Sequence, residues 1–232
     1  IPKQFIQVQG KPILIHTLEV FQADEAIDAI ELVCIQSHMD VIWDMVRQYG
    51  ITKVRWVCTG GATYQDSVLN GLRNLEPHCQ DDDIVLIHFG VSPFGDQEII
   101  DDSIAVCRAH GNAISSNPCV LCMCAKDPED ASRSTEGLDR ETLMGLNSPQ
   151  TFRMDYLREL YAEGLEKNVM DTLVDPHTTT LMFALGRTLY FSKSSQANIK
   201  ITTKEDIALF AKMGFKCFRS SGSSRHKGGR PW

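Results

Sequence analysis

Val54-Arg55-Trp56-Val57-Cys58-Thr59-Gly60-Gly61-Ala62-Thr63-Tyr64-Gln65-Asp66-Ser67-Val68 is the stretch on which the fold turns. Val54 to Cys58 is an apolar run of strand length. The glycine pair lets the backbone turn tightly and approach a ligand, and Thr63 with Asp66 has the spacing of a capping box ahead of Val68, Leu69 and Leu72. Strand, glycine turn and helix start therefore follow one another within a few residues. The same alternation extends in both directions. Strands are expected at Ala29 to Ile35, Ile84 to His88, Asn112 to Ser116, Cys119 to Cys124, Thr188 to Phe191 and Asn198 to Ile201. Helices are expected from Pro12 to about Phe21, from a Ser37 cap to Gly50, and at Asp96 to His110, Asp155 to Lys167 and Thr203 to Met213. Short apolar runs alternating with helical periods predict an α/β layer fold with a largely parallel sheet.

The chain has 232 residues, 43% of them hydrophobic, enough for one sizeable α/β domain. Its formal charge is −7, but five of the 23 Lys/Arg lie between Lys216 and Trp232, where there is no acid. The rest carries 18 basic residues against 30 acidic, a balance of −12. Such a body repels a nucleic-acid backbone, so no DNA or RNA partner is expected. Phosphorylated ligands would need local clusters of Lys, Arg and backbone N–H. No apolar run reaches the roughly 18 residues that span a bilayer, and no signal peptide opens the chain. A soluble, cytoplasmic protein with no membrane partner is expected.

Two segments break the rhythm. Ala125 to Glu141 is polar, contains Pro128 and Gly137, and reads as a loop or projecting arm. Arg219 to Trp232 is rich in Ser, Gly and Arg and reads as a disordered or artefactual basic tail, which leaves residues 1–218 as the domain with an arm at about 119–146. Ile1-Pro2 is not an initiator, so further residues are expected upstream. The eight cysteines read as reduced packing residues rather than a disulfide framework. Cys119, Cys122 and Cys124 have CxxC spacing, but strand alternation turns Cys119 away from the other two and no fourth ligand is near, so no metal is expected there.

Several ordered blocks carry a resemblance. They are Ile1-Pro2-Lys3-Gln4-Phe5 with Gly10-Lys11-Pro12 and the apolar run to Leu18; Gly60-Gly61-Ala62 through Ser67-Val68; Leu138-Asp139-Arg140 with Ser148-Pro149-Gln150-Thr151-Phe152; and Asn198-Ile199-Lys200-Ile201-Thr202. Taken alone, the Pro-Lys pair fits a surface lysine and the glycine pair fits an ordinary strand-to-helix turn. Together, in this order, they resemble the cytidylyltransferases that act on methylerythritol phosphate and ribitol phosphate, over residues 1 to about 211. The resemblance implies a three-layer Rossmann-like nucleotidyltransferase fold with a mixed, mainly parallel sheet and a projecting dimerisation arm. It implies transfer of CMP from CTP to a polyol phosphate, with pyrophosphate released. The acceptors in the family are methylerythritol phosphate, for isoprenoid precursors, and ribitol phosphate, for cell-surface polymers such as teichoic acid.

By the same resemblance Lys3 and Lys200 neutralise charge at the α-phosphorus, and Gly60, Gly61, Ala62, Ser67, His88, Phe89 and Gly90 lie at the nucleotide. Arg140 reaches a neighbouring subunit's acceptor phosphate, Ser148 and His177 lie on the acceptor side, and the protein is a homodimer. A glycine-rich phosphate loop is expected ahead of Pro2, without which the chain would be inactive.

The departures fall on the metal and acceptor side. The family pattern Ile-His-Asp-x-x-Arg-Pro-Phe reads here Ile87-His88-Phe89-Gly90-Val91-Ser92-Pro93-Phe94, and phenylalanine cannot ligate Mg²⁺, which takes oxygen donors. The pattern Thr-Asp-(Asp/Glu)-Ala-Ser reads Pro176-His177-Thr178-Thr179-Thr180. Mg²⁺, expected from the resemblance, would be held by the triphosphate and water, and no protein residue is assigned as a metal ligand. A redesigned acceptor pocket and a catalytically silent paralogue that binds nucleotide or a protein partner both fit these changes. No G-x-S-x-G, H-E-x-x-H, Walker or G-x-G-x-x-G pattern competes.

Overall fold

The computed structural model describes residues 2–173 and 177–213. The stretch around Lys216 and Cys217 and the tail 219–232 lie outside the described residues.

After a 3-10 turn at Lys3–Phe5, β1 (Gln7–Val8) and β2 (Lys11–Pro12) form a short hairpin that leads into α1 (Ile13–Ala23). Eight residues of α1 are buried, including Ile13, Ile15, Leu18 and Phe21, so this helix is enclosed rather than amphipathic. Then come β3 (Ile30–Cys34), α2 (Met39–Gln48), β4 (Val54–Thr59), α3 (Tyr64–Leu75), β5 (Ile84–Ile87) and α4 (Gln97–His110). The capping box at α3 is complete with Asp in the Glu place. Thr63 Oγ1 accepts from Asp66 N–H at 3.1 Å, and an Asp66 carboxylate oxygen accepts from Thr63 N–H at 3.1 Å. The cap of α2 is His38, with no side-chain bond, so the Ser37 cap does not form. The second half holds β6 (Asn112–Pro118), β7 (Met123–Ala125), β8 (Glu136–Leu138), β9 (Met144–Arg153), α5 (Met154–Glu166), α6 (Thr178–Ala184), β10 (Phe191–Lys193) and α7 (Lys204–Lys212).

Strands β3 and β4 pair in parallel. Strands β10, β6, β9 and β5 form a four-stranded sheet in that order, in which β9 alone runs against its neighbours. The sheet is therefore mixed. The alternation of side chains along the strands sets the layers. Ile84 and Leu86 of β5 pack with Val20 and Phe21 of α1 and Ile100 and Ile104 of α4, whereas Val85 and Ile87 face the cluster of Leu69, Leu72, Leu157, Leu160 and Leu181 from α3, α5 and α6. On β3, Ile30, Leu32 and Cys34 pack with α1 and α2, and a Cβ placed on Gly71 of α3 would lie 2.9 Å from Val33 Cγ2. Helices α1, α2 and α4 thus cover one face, and α3, α5 and α6 the other. Helix α1 contributes to both parts of the sheet.

The differences from the sequence reading are local. Strand β9, read only as a return segment, is the longest strand at 10 residues. Helix α6 was not anticipated, and β10 begins where the expected Thr188 to Phe191 strand ends. Asn198 to Ile201 is irregular, although Ile201 is fully buried and its N–H donates to the Val91 carbonyl at 2.9 Å. The arm carries a small antiparallel hairpin, β7 against β8. Of the seven described cysteines only Cys107 is buried, and Cys122 and Cys124 are exposed, so most thiols do not fill the core.

Candidate active site

The glycine turn between β4 and α3 is fixed by sterics. A Cβ on Gly60 would lie 2.9 Å from Ser67 Oγ, and one on Gly61 would lie 2.2 Å from Asp66 Cβ. Ser67 Oγ accepts from Gly61 N–H at 3.0 Å and donates to the Thr63 carbonyl at 2.9 Å, so this hydroxyl braces the turn. Ala62 is exposed beside it. The turn after β5 lies next to α1. Thr17 Oγ1 donates to the Gly90 carbonyl at 3.2 Å, and a Cβ on Gly90 would press on Leu14 Cδ1 at 3.0 Å.

A cavity of about 190 Å³ opens beside the turn after β5, bounded by Phe89, Ser92, Ser148, His177, Asn198 and Lys200 among others. Lys200 Nζ stands 3.6 Å from the centre of the Phe89 ring. Burial, and then repulsion from Lys3, lowers the Lys200 pKa below that of an ordinary lysine. The His177 ring meets Phe89 edge-on at 5.3 Å, and Tyr64 lies 6.0 Å from Phe89 and 6.3 Å from His177.

A buried amide framework fixes His177. Gln150, 1% exposed, donates from Nε2 to His177 Nδ1 at 3.0 Å and accepts from Thr178 N–H at 3.2 Å. Gln65 donates to the His177 carbonyl at 2.9 Å and accepts from Tyr161 Oη–H at 2.7 Å. Asn198 donates to the Ser148 carbonyl at 2.7 Å, while its own Oδ1 is buried with no hydrogen-bond partner among the described residues. Sequence reasoning singled out Ser148, His177, Phe89 and Lys200. It assigned no role to Tyr64, Gln65, Gln150 or Asn198, although each lies inside one of the quoted blocks.

Lys3, Gly60, Gly61, Ala62, Ser67 and Gly90 do not line this cavity, and His88 and Arg140 lie elsewhere. The His88 side chain is under α1, edge-on to Phe21 at 4.8 Å, with Nε2–H donating to the Ser92 carbonyl at 2.8 Å. Burial lowers its pKa to about 4, so the imidazole is neutral and braces the turn rather than meeting His177 in the cavity. Arg140 is exposed on the arm and paired with Glu141 at 3.6 Å, so it is not part of this chain's own cavity. A more open hollow of about 570 Å³ along α4 is lined by Glu98, Asp101 and Asp102, carboxylates that would repel a nucleotide.

The Mg²⁺ expected from the resemblance finds no fitting site among the described residues as a metal held by the protein. No group of three or more His, Cys, Asp or Glu among them could hold an ion. The cavity is bounded by no described carboxylate and already holds an ammonium. Among the described residues no helix is long and apolar enough to cross a membrane.

The sequence model of the 2-C-methyl-D-erythritol 4-phosphate cytidylyltransferase (IspD) family matches residues 1–213. A ribitol-5-phosphate cytidylyltransferase of Lacticaseibacillus paracasei is 40% identical over 90% of this chain and 88% of its own length. A 2-C-methyl-D-erythritol 4-phosphate cytidylyltransferase of Clostridium botulinum is 33% identical over 90% and 87%. The crystal structure of 4-diphosphocytidyl-2C-methyl-D-erythritol synthase from Anaerococcus prevotii superposes with a TM-score of 0.75 at 27% identity, covering 90% of this chain and 87% of that one. Matched along its body by family, relatives and fold, the chain belongs to the 2-C-methyl-D-erythritol 4-phosphate cytidylyltransferase (IspD) family.

Proposed function

We propose that the protein transfers CMP from CTP to ribitol 5-phosphate. In this reaction an oxygen of the acceptor phosphate attacks the α-phosphorus of CTP in line. The new P–O bond joins acceptor and CMP as a CDP-alcohol, and the bond from the α-phosphorus to the bridging oxygen breaks to release pyrophosphate. Such a step calls mainly for positioning and for neutralising charge on the phosphoryl oxygens. The observation that carries the reading is the Lys200 ammonium held 3.6 Å from the centre of the Phe89 ring in a cavity bounded by no described carboxylate. A partly desolvated ammonium with an aromatic face and no carboxylate as its partner remains available to an anion.

Lys3 and Lys200 would face the triphosphate, and the Gly60-Gly61-Ala62 turn with Ser67 would receive the base and ribose. The cavity past Phe89, with Ser148, His177 and Asn198, would take the acceptor. What favours ribitol 5-phosphate is identity of 40% to the Lacticaseibacillus paracasei enzyme and 35% to one of Streptococcus agalactiae, against 33% to the Clostridium botulinum methylerythritol-phosphate enzyme. The arm would bring Arg140 to the acceptor site of a second subunit, making the enzyme a homodimer. A catalytically silent nucleotide binder is the second reading, favoured by the replacement of a carboxylate position by Phe89. Pyrophosphate release from the full-length protein with CTP and ribitol 5-phosphate, beside methylerythritol phosphate, is the test. Release with ribitol 5-phosphate at least tenfold faster is expected. Nucleotide binding without release from either acceptor would favour the silent reading.

A further inference from the structure

The cavity pairs an aromatic ring with a cation, Phe89 with Lys200. Phe89 lies on the turn after β5, where Ser92 N–H donates to the Phe89 carbonyl at 3.0 Å. The ring is held from several sides, edge-on by His177 at 5.3 Å, by Tyr64 at 6.0 Å, and by the cluster of Ile13, Val91, Ile201 and Phe210. Its face receives Lys200 Nζ at 3.6 Å. Lys200 follows Asn198, which is tied to the Ser148 carbonyl, and precedes Ile201, which is tied to Val91, so its backbone is pinned on both sides. A long, flexible side chain on a fixed base thus ends on a fixed ring. The ring's negative face compensates part of the charge without consuming any N–H donor. A carboxylate partner would neutralise the ammonium, whereas the ring leaves it available to an anion.

We propose that Phe89 is a positioning residue that seats the Lys200 ammonium in place of a divalent cation held by the protein, so that any divalent ion enters only on the triphosphate. The inference rests on the reading of Lys200 as the group that faces phosphate. A neighbouring ammonium excludes a second cation from the nucleotide-free cavity, and the described walls offer a dication no anionic oxygen. Fixed seating replaces the orientation that metal coordination would otherwise supply.

Two measurements without substrate test the seating apart from the reaction. In the NMR spectrum of the nucleotide-free protein, the Lys200 ε-CH₂ protons should be shifted upfield by the Phe89 ring and should return towards ordinary lysine values in Phe89→Leu. In an electron paramagnetic resonance titration of the same protein, added Mn²⁺ should remain free until CTP is present. In turnover, Phe89→Leu should lower kcat about tenfold with little change in KM for the acceptor, and Phe89→Tyr, which keeps the ring face, should restore most of it. One Mn²⁺ bound per nucleotide-free chain, or Lys200 resonances identical in wild type and Phe89→Leu, would overturn the proposal. Failure of pyrophosphate release with both substrate-free results intact would sink the proposed reaction and leave the seating standing.

Discussion

Gln150 donates a hydrogen bond of 3.0 Å to Nδ1 of His177, so the imidazole, when neutral, carries its proton on Nε2. The same amide accepts from Thr178 N–H, the first residue of α6, so one buried side chain sets both the ring and the start of the helix behind it. Gln150→Leu removes both bonds and leaves a buried N–H without its partner. A loss of about 1–3 kcal/mol in stability is expected, together with a several-fold rise in KM for the acceptor. Urea midpoints and acceptor titrations check this. An unchanged midpoint would mean that the amide does not make these contacts in solution.

Lys3 and Lys200 carry the charge argument. Lys3→Ala or Lys200→Ala should lower pyrophosphate release roughly 100-fold or more, since each removes a positive charge from developing phosphoryl charge and little packing. Circular dichroism should show the fold intact. A loss below about fivefold would return both lysines to the status of surface residues.

The coupling between these lysines has a sign. Lys3 opposes protonation of Lys200, so Lys200 loses its proton at a lower pH than a free lysine. Removing Lys3 takes away that repulsion, and the Lys200 titration should move upward in Lys3→Gln. Binding of pyrophosphate, an anion, should also move it upward. NMR titration of labelled lysine side chains reads both shifts. A Lys200 titration unmoved by Lys3→Gln would place the two groups out of range of each other.

His88 predicts a pH dependence of stability rather than of catalysis. Its pKa is about 6.5 in an unfolded chain and about 4 when buried. Between those values the unfolded state takes up a proton that the folded state refuses, so stability falls as pH drops from about 6.5 to about 4 and levels off below. The loss amounts to about 3 kcal/mol. His88→Gln keeps a donor for the Ser92 carbonyl without the titration. The difference in urea stability between wild type and His88→Gln should therefore change across that window, and a constant difference would count against a buried neutral imidazole.

The layers of the fold were legible because apolar period and turn chemistry agree along Val54 to Leu72 and Asp96 to Ser116. Strand β9 was not, since its central Asn147-Ser148-Pro149-Gln150-Thr151 lacks apolar alternation. Residues 148–151 are buried nonetheless, with Gln150 and Thr151 satisfied by His177, Thr178 and Ser103. Helix α6 was hidden by its three threonines, β-branched residues that favour strands; burial of Leu181 and Met182 overrides that preference. Phe89, Ser148, His177 and Lys200, singled out through sequence order, line the cavity, whereas Lys3 does not. Tyr64, Gln65 and Asn198 act through long-range contacts, which no local pattern announces.

The arm supplies the last prediction. Val120 and Leu121 are 58% and 65% exposed, and Met123 and Leu138 on the β7–β8 hairpin are exposed as well. Apolar side chains clustered on a projection need a surface to cover, and a second copy of the same arm would provide it in an isologous contact. Arg140 follows that hairpin on a short helical turn, exposed and away from its own chain's cavity. If the arms pair, Arg140 completes the neighbour's acceptor site, and the two active sites of a dimer share residues from both chains. Subunits carrying Arg140→Ala are then mixed with subunits carrying Lys3→Ala. Each variant alone should be nearly inactive, because every site lacks one charge. A heterodimer holds one site with both substitutions and one with neither, so activity should return towards half of wild type per heterodimer. With subunit exchange confirmed by native mass, absence of any recovery would assign Arg140 to its own subunit or remove it from the chemistry.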